Sequence, residues 1–299
     1  MEGEHSKSGK FRQVGKAAAR GALKVLPFRC SAFLVKHINR RLCHLLPPGH
    51  TIDFSGYYNS LRVRLNTTYP IERQMLSGIY DASTVRVLEQ FIRPGDICID
   101  VGANVGALTL VMASLVGGKG KVLAFEPGPE LFAKLQQNVS LNKEIQQRVG
   151  ICQCGLSDEE ATLCWEEDAG NRGNAFLSKS QRGPIVRVKR LDDIPEVRAA
   201  TVRFIKIDVE GMELKVLRGA KDLLRRTRCL VYFEAMPGAR RRKKEEDHED
   251  IFCGIRQFFD QAGYKIFGLS RSGQLEPVHG AQFCQNNLAL PNEMKFSGN

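Results

Sequence analysis

The chain has 299 residues, of which 42% are apolar and 26% are charged, and its formal net charge is +11. Such a length and composition are typical of a globular protein with one sizeable α/β domain and an appendage, or with two small domains. No apolar run reaches about 18 residues, so no transmembrane helix is expected. Lys24, Arg29 and Lys36 interrupt the first apolar stretch, so no signal peptide is expected either.

The N-terminal arm carries most of the positive charge. Residues 1–50 hold ten Lys or Arg against two Glu, which leaves about +3 for the rest of the chain. Residues 1–10 are polar and predict disorder. From Phe11 to Leu46 the pattern is basic and predicts an amphipathic helix. Its apolar positions recur at helical spacing, at Leu34, Ile38, Leu42 and Leu45. Pro47-Pro48-Gly49 ends this element.

The nine cysteines show neither a C-x-x-C pair nor a zinc-finger spacing. We therefore expect free thiols in a cytoplasmic protein and no metal site, with a disulfide or metal role as the alternative. Cys152 and Cys154 are two residues apart, which on a strand places both side chains on one face.

The remainder alternates short apolar strands with helices. Alternating segments near 50–55 and 61–66 predict a β-hairpin. Helices are predicted near 82–91, 106–115, 128–142, 212–226 and 247–262. Strands are predicted at 97–101, 121–126, 151–155, 203–209, 230–235, 264–269 and 283–290. This order predicts a doubly wound α/β fold with a mostly parallel, seven-stranded sheet and a ligand crevice at the carboxyl ends of its strands. Segments 158–165 and 185–188 predict an added hairpin over that crevice.

A glycine-containing turn follows the first of these strands, in Ile97-Cys-Ile-Asp-Val-Gly-Ala-Asn-Val-Gly106. Gly102 and Gly106 allow a tight turn and a close approach to a ligand, although such a turn is also common as a purely structural feature. The three-glycine spacing that binds a pyrophosphate is absent. Asp100 would repel a pyrophosphate, but it suits a cationic ligand such as the ammonium or sulfonium end of S-adenosylmethionine.

Further acidic residues end three other strands. Glu126, 26 residues after Asp100, is placed to accept hydrogen bonds from ribose hydroxyls. Strand alternation predicts that Asp208 and Glu210 lie on one side near the crevice, to bind the methionine part or to orient or deprotonate an acceptor hydroxyl. A helix N-terminal acid is the lesser alternative for Glu210. Glu234, after the next strand, is interpreted equally as a crevice residue or as a structural one.

Together these segments resemble the FkbM family of methyltransferases. The resemblance rests on Gly95–Gly106, on Phe125-Glu-Pro127, and on Ile205-Lys-Ile-Asp-Val-Glu-Gly-Met-Glu213 with Val216-Leu-Arg-Gly219. It implies a Rossmann-like methyltransferase fold and methyl transfer from S-adenosylmethionine, commonly to a hydroxyl of a sugar or natural product. It also implies a set of cofactor-binding residues: Asp100, Gly102, Ala103, Asn104, Gly106, Glu126, Pro127, Leu156, Ser157 and Asp208. Leu156 and Ser157 fall where the adenine usually lies, and Asp208 and Glu210 face the reaction centre.

We therefore expect a basic arm over 1–48, a hairpin-like lead-in over 49–70 and a methyltransferase domain over 71–299. The predicted function is O-methylation of a small molecule or glycan, with Asp208, Glu210 and Glu234 as catalytic candidates. One alternative is an RNA or protein methyltransferase that holds its substrate with the arm. Lys206 and Asp208 loosely resemble part of the Lys-Asp-Lys-Glu set of ribose methyltransferases, although the near-neutral main body argues against nucleic acid. Another alternative is a non-catalytic module that docks on an anionic membrane through residues 31–46.

Overall fold

The computed structural model describes six stretches of the chain: residues 47–168, 171–178, 183–235, 248–270, 274–278 and 283–296. The predicted disordered segment and amphipathic helix of the arm lie outside the described residues. The RNA-holding and membrane-docking hypotheses that depend on the arm therefore stay predictions. Among the described helices, none is both long enough and apolar enough to cross a membrane.

The chain divides into two compact units, Met1–Tyr80 and Asp81–Asn299. In the first unit, strands β1 (Thr51–Tyr57) and β2 (Leu61–Asn66) pair antiparallel, as predicted, and helix α1 (Pro70–Met75) follows. Val63 and Leu65 are buried on one face of β2, while Arg64 between them is more exposed, because side chains alternate along a strand.

The second unit contains the predicted doubly wound sheet, with eight strands rather than seven. The strands are β3 (Ile97–Val101), β4 (Lys121–Phe125), β5 (Val149–Cys152), β10 (Val202–Ile207), β11 (Leu230–Glu234), β12 (Tyr264–Leu269), β13 (Leu275–Pro277) and β14 (Asn286–Pro291). Their order across the sheet is β13-β12-β14-β11-β10-β3-β4-β5. The additional strand, β13, is a three-residue edge strand, too short to show an alternating pattern. Five adjacent strands, β11, β10, β3, β4 and β5, run parallel. The other three strands, β12, β13 and β14, are antiparallel to their neighbours.

The connections reverse direction between β3 and β10. From β3 the chain continues outward to β4 and β5, whereas β10 leads the other way to β11. Such a switch point opens a crevice at the carboxyl ends of the two central strands. The residues that follow β3 and β10 are therefore placed at one site.

Helices cover both faces of this sheet. They are α2 (Ala82–Phe91), α3 (Ala107–Leu115), α4 (Pro129–Ser140), α5 (Lys143–Gln146), α6 (Pro195–Ala199), α7 (Glu213–Arg218), α8 (Lys221–Thr227) and α9 (His248–Ala262). One face is apolar: Ile99, Ile205 and Phe233 pack there against buried residues of α7, α8 and α9. Burial of this face contributes to the hydrophobic stabilisation of the unit.

The predicted helix over 212–226 is in fact two helices, α7 and α8, broken at Gly219-Ala220. A Cβ atom on Gly219 would lie 2.0 Å from the carbonyl oxygen of Ser157, so the chain approaches too closely there for any side chain. The carboxylate of Asp192 accepts hydrogen bonds from the backbone N–H groups of Asp222 and Leu223, and so satisfies the start of α8.

A second, four-stranded sheet is inserted between β5 and α6. Its strands β6 (Gly155–Leu156), β7 (Ala161–Asp168), β8 (Asn171–Ser178) and β9 (Ile185–Lys189) lie in the order β6-β9-β7-β8. The predicted pairing of 158–165 with 185–188 is confirmed as β7 against β9. Two details of the prediction were wrong. The strand expected over 151–155 is split between the two sheets, and β8 was not foreseen.

Candidate functional site

The glycine turn after β3 is shaped by contacts within the protein. Gly102 has φ +74° and Gly106 has φ +88°, the left-handed region that favours glycine. A Cβ atom on Gly102 would lie 2.0 Å from the carbonyl oxygen of Asp208, and one on Gly106 would lie 2.8 Å from Leu135. The turn therefore packs directly against the end of β10, and it brings the residues after β3 and β10 together.

Glu126 lies at the carboxyl end of β4, beside this turn, and is 2% exposed. Its two carboxylate oxygens accept hydrogen bonds from the backbone N–H groups of Asn104 and Gly128, both at 2.8 Å. Burial raises the pKa of Glu126 to about 7, although the two N–H groups and the Lys206 ammonium act to lower it. The carboxylate is therefore fixed in position, and it keeps lone pairs that can accept further hydrogen bonds.

Asp100 is fully buried beneath the turn. Thr109, on α3, donates a hydrogen bond of 2.6 Å to its Oδ2 atom. Its Oδ1 atom has no hydrogen-bond partner in the part of the chain that the structure describes, and it lies 3.4 Å from the Nζ atom of Lys206. The cationic group that faces Asp100 in this structure is therefore a lysine of the protein itself.

Lys206, the residue before the last in β10, is 4% exposed. Its Nζ atom donates a hydrogen bond of 2.8 Å to the carbonyl oxygen of Gly102 and lies 3.4 Å from a carboxylate oxygen of Asp208. A buried ammonium is costly unless it is paired and hydrogen-bonded, and here it is both. The sequence indicated Lys206 only as part of a possible ribose-methylation set. The signal that could have identified it is a lysine between two isoleucines of a parallel strand.

Asp208 follows β10, and its side chain is 36% exposed. Burial acts to raise its pKa, but the Lys206 ammonium and the hydrogen bonds with Glu234 and Lys206 outweigh this effect and hold the pKa below its usual value. Asp208 is thus an ionised carboxylate that reaches the surface of the crevice.

Glu234 ends β11 and is hydrogen-bonded to Asp208. Gln285 donates a hydrogen bond of 2.8 Å to its Oε1 atom. Burial, followed by the charge and hydrogen bond of Asp208, raises the pKa of Glu234 to about 9. Near neutral pH the two carboxyl groups therefore share one proton, held on Glu234. We refer to Asp100, Lys206, Asp208 and Glu234 as the charge row.

The prediction that Glu210 lies beside Asp208 on a strand was wrong, because β10 ends at Ile207. Residues 208–211 form a turn in which Glu210 has φ +47° and Gly211 has φ +101°. Glu210 is exposed, and its negative charge contributes to the raised pKa of Glu234. The structure therefore brings Glu210 within electrostatic range of the charge row, although not by strand alternation.

The second sheet adjoins Glu126. Trp165, on β7, is buried, and a Cβ atom on Gly128 would lie 2.5 Å from its indole ring. Leu156 and Ser157 are both 3% exposed. Pro127 lies against the start of β6, since a Cβ atom on Gly155 would be 3.8 Å from it. The sheet thus meets the main sheet directly after Glu126, beside the position predicted for the adenine.

Comparison with known proteins agrees with this arrangement. A family model described as the methyltransferase FkbM domain matches residues 100–266, more than half of the chain. The chain belongs to the FkbM methyltransferase family. The match begins at Asp100, the first member of the charge row, and continues into β12.

Curated members of the FkbM family and other methyltransferases are similar to this chain. Methyltransferase 1 of Beauveria bassiana is 31% identical over 198 residues, which cover 58% of this chain and 74% of that protein. The 31-O-demethyl-FK506 methyltransferase FkbM of Streptomyces tacrolimicus is 32% identical over 164 residues, 44% of this chain and 62% of that protein. The 2-O-methyltransferase NoeI of Sinorhizobium fredii is 27% identical over 187 residues, 54% of this chain and 74% of that protein.

Proposed function

We propose that this protein transfers a methyl group from S-adenosylmethionine to a hydroxyl oxygen of a sugar or another small molecule. The observation that carries the proposal is the Glu126 carboxylate, buried beside the glycine turn and held by the N–H groups of Asn104 and Gly128. A carboxylate fixed at this strand end suits the two hydroxyls of a ribose.

The remaining residues fit the same cofactor. Asp100 is fully buried and paired with Lys206, so it supports the turn from within the protein. Glu126 and Asp208 supply the negative charge beside the turn, which suits a cationic ligand better than a pyrophosphate. Leu156 and Ser157 lie with Pro127 where the two sheets meet, at the position proposed for the adenine, and they are buried there. S-adenosylmethionine supplies a methyl group that its sulfonium charge has already activated.

We assign Asp208 as the group that orients the acceptor hydroxyl and takes up its proton. Asp208 is ionised and reaches the crevice surface, and Lys206 fixes its carboxylate from below. Glu234 holds a proton on the other side of that carboxylate, which fixes its orientation. Most of the rate enhancement would come from holding the reacting atoms close and aligned. Glu210, exposed and two residues further on, is the second candidate for contact with the acceptor.

The hydroxyl acceptor is supported by the names of two relatives. The Streptomyces protein is named as a methyltransferase of 31-O-demethyl-FK506, and the Sinorhizobium protein is named as a 2-O-methyltransferase. An ionised carboxylate in the crevice provides what an uncharged hydroxyl needs, a group that accepts its proton.

Calorimetric titration with S-adenosylhomocysteine tests the cofactor. We expect micromolar binding that weakens at least about tenfold in Glu126→Ala, the roughly 1.4 kcal/mol of a lost charge-assisted hydrogen bond. Glu144→Ala, which removes an exposed glutamate of α5, is the matched control and should bind like the wild type. A folded wild-type chain that does not bind at millimolar ligand would refute the proposal.

The acceptor is tested with S-adenosylmethionine carrying a radioactive methyl group. Incubation with separated small-molecule, RNA and protein fractions of a cell extract should place the label in the small molecules. The label should resist mild alkali, because methyl ethers survive it while methyl esters hydrolyse. Label found in RNA or protein would refute the proposed class of acceptor, but it would not refute S-adenosylmethionine as the methyl donor.

A further inference from the structure

Two cysteine thiols touch each other at the junction of the two sheets. Cys152 is the last residue of β5, and Cys154 directly precedes β6. Their Sγ atoms are 3.4 Å apart. Among the cysteines of the described residues, these are the only two whose thiols lie within hydrogen-bond distance of each other.

The backbone explains why the thiols converge. The two residues are two positions apart in extended chain, so both side chains leave it on one side. Because β5 is the edge strand of the main sheet, Cys152 is only half-buried and a small reagent can reach it. Cys154 is 2% exposed, so it is reached through its partner.

The two thiols differ in acidity. The hydrogen bond from Cys154, together with the positive charge of Lys189, lowers the pKa of Cys152 to about 6, against the opposing effects of burial and of Glu196. The same hydrogen bond and burial raise the pKa of Cys154. At neutral pH Cys152 is therefore a thiolate, and Cys154 remains a protonated thiol beside it.

We propose that Cys152 and Cys154 form a reversible oxidation site that controls the adjacent cofactor pocket. The Cys152 thiolate attacks a hydroperoxide and, with one proton, yields a sulfenic acid and water or an alcohol. The sulfur of Cys154 then attacks that sulfur and forms a disulfide. The displaced hydroxide takes the thiol proton of Cys154 and leaves as a second water. The sulfurs close from 3.4 Å to about 2.0 Å, which draws residues 152 and 154 toward each other.

The coupling to the pocket rests on the proposed function. The carbonyl oxygen of Cys152 accepts the backbone N–H of Glu126 at 3.2 Å. On the other side, Cys154 is followed by Gly155 and by Leu156 and Ser157, the predicted adenine position. A disulfide that draws residues 152 and 154 together therefore displaces both sides of the pocket, and we expect it to weaken cofactor binding.

The test uses the full chain treated with hydrogen peroxide. Free thiols are then blocked with N-ethylmaleimide, and the tryptic peptide 149–172 is weighed. It should carry a single blocking group, on Cys164, and apart from that group it should be about 2 Da lighter than the peptide with three thiols. Fragment ions should locate the disulfide between Cys152 and Cys154. Cys152→Ser should not form it, whereas Cys164→Ser, which changes a buried thiol of β7, should. Absence of this disulfide from the oxidised wild type would overturn the proposal.

The same samples are titrated with S-adenosylhomocysteine. Oxidation should weaken binding at least about fivefold in the wild type and in Cys164→Ser, with recovery in dithiothreitol and no change in Cys152→Ser. A disulfide that forms without changing the affinity would overturn the control of the pocket. If neither redox form binds, the proposed function fails, and with it the coupling, while the peptide masses still decide whether the thiols react with each other.

Discussion

Replacing Lys206 with methionine removes the positive charge that lies between two carboxylates of the charge row. Methionine is unbranched and only one atom shorter than lysine, so packing changes little while Asp100 is left as a buried, uncompensated carboxylate. Removing one partner of a buried ion pair costs about 3–5 kcal/mol. This cost is a large fraction of the 5–15 kcal/mol that stabilises a typical protein.

The assay is thermal unfolding followed by tryptophan fluorescence. Trp165 is the only tryptophan of the chain and is buried in the same compact unit as Lys206, so its signal reports on that unit. For a unit of this size, about 2–4 °C of melting temperature corresponds to 1 kcal/mol. We therefore expect Lys206→Met to melt about 6–20 °C below the wild type.

Two further variants distinguish charge from packing. Lys121→Met changes an exposed lysine of β4 and should melt within about 2 °C of the wild type. Adding Asp100→Asn to Lys206→Met neutralises the stranded carboxylate while Thr109 can still donate its hydrogen bond, and should recover at least about 1 kcal/mol. A Lys206→Met chain as stable as the wild type, or a double variant with no recovery, would refute this account of the charge row.

Three other predictions concern the same site. Gly102→Ala should abolish binding of S-adenosylhomocysteine in calorimetry, because φ +74° strains alanine and its Cβ atom would overlap the carbonyl oxygen of Asp208. Binding as tight as in the wild type would contradict the close approach of the turn to Asp208. The pKa of Glu234 is raised from 4.5 to about 9, so the folded chain retains a proton that the unfolded chain loses, and stability should fall as pH rises between these values. Urea titrations of Glu234→Gln should show a smaller fall from pH 6 to pH 9 than the wild type, and equal slopes would count against the shared proton. The pKa of Glu126 lies at about 7, and ribose hydroxyls favour its ionised form, so the affinity for S-adenosylhomocysteine should rise from pH 6 to pH 8 in the wild type and stay flat in Glu126→Gln.

Much of the fold followed from local patterns. The apolar strands, the helices between them and the glycine turn could be predicted because each depends on neighbouring residues: strand alternation, helical periodicity, and the positive φ of Gly102 and Gly106. The errors occurred where a distant contact overrides the local pattern. The break between α7 and α8 falls at Gly219-Ala220, where the carbonyl oxygen of Ser157 occupies the place of a side chain at Gly219.

The sequence by itself thus determined the doubly wound architecture, and the acidic strand ends that resemble the FkbM family identified the crevice. Only the tertiary structure decided how those groups act on one another. Lys206 faces Asp100 because β3 and β10, about a hundred residues apart, pair in one register. The proton shared by Asp208 and Glu234, and the Trp165 ring against Gly128, likewise depend on segments that meet only when the sheets assemble. The physical reason is that register between distant strands is set by burial of the whole sheet, which no local stretch of sequence encodes.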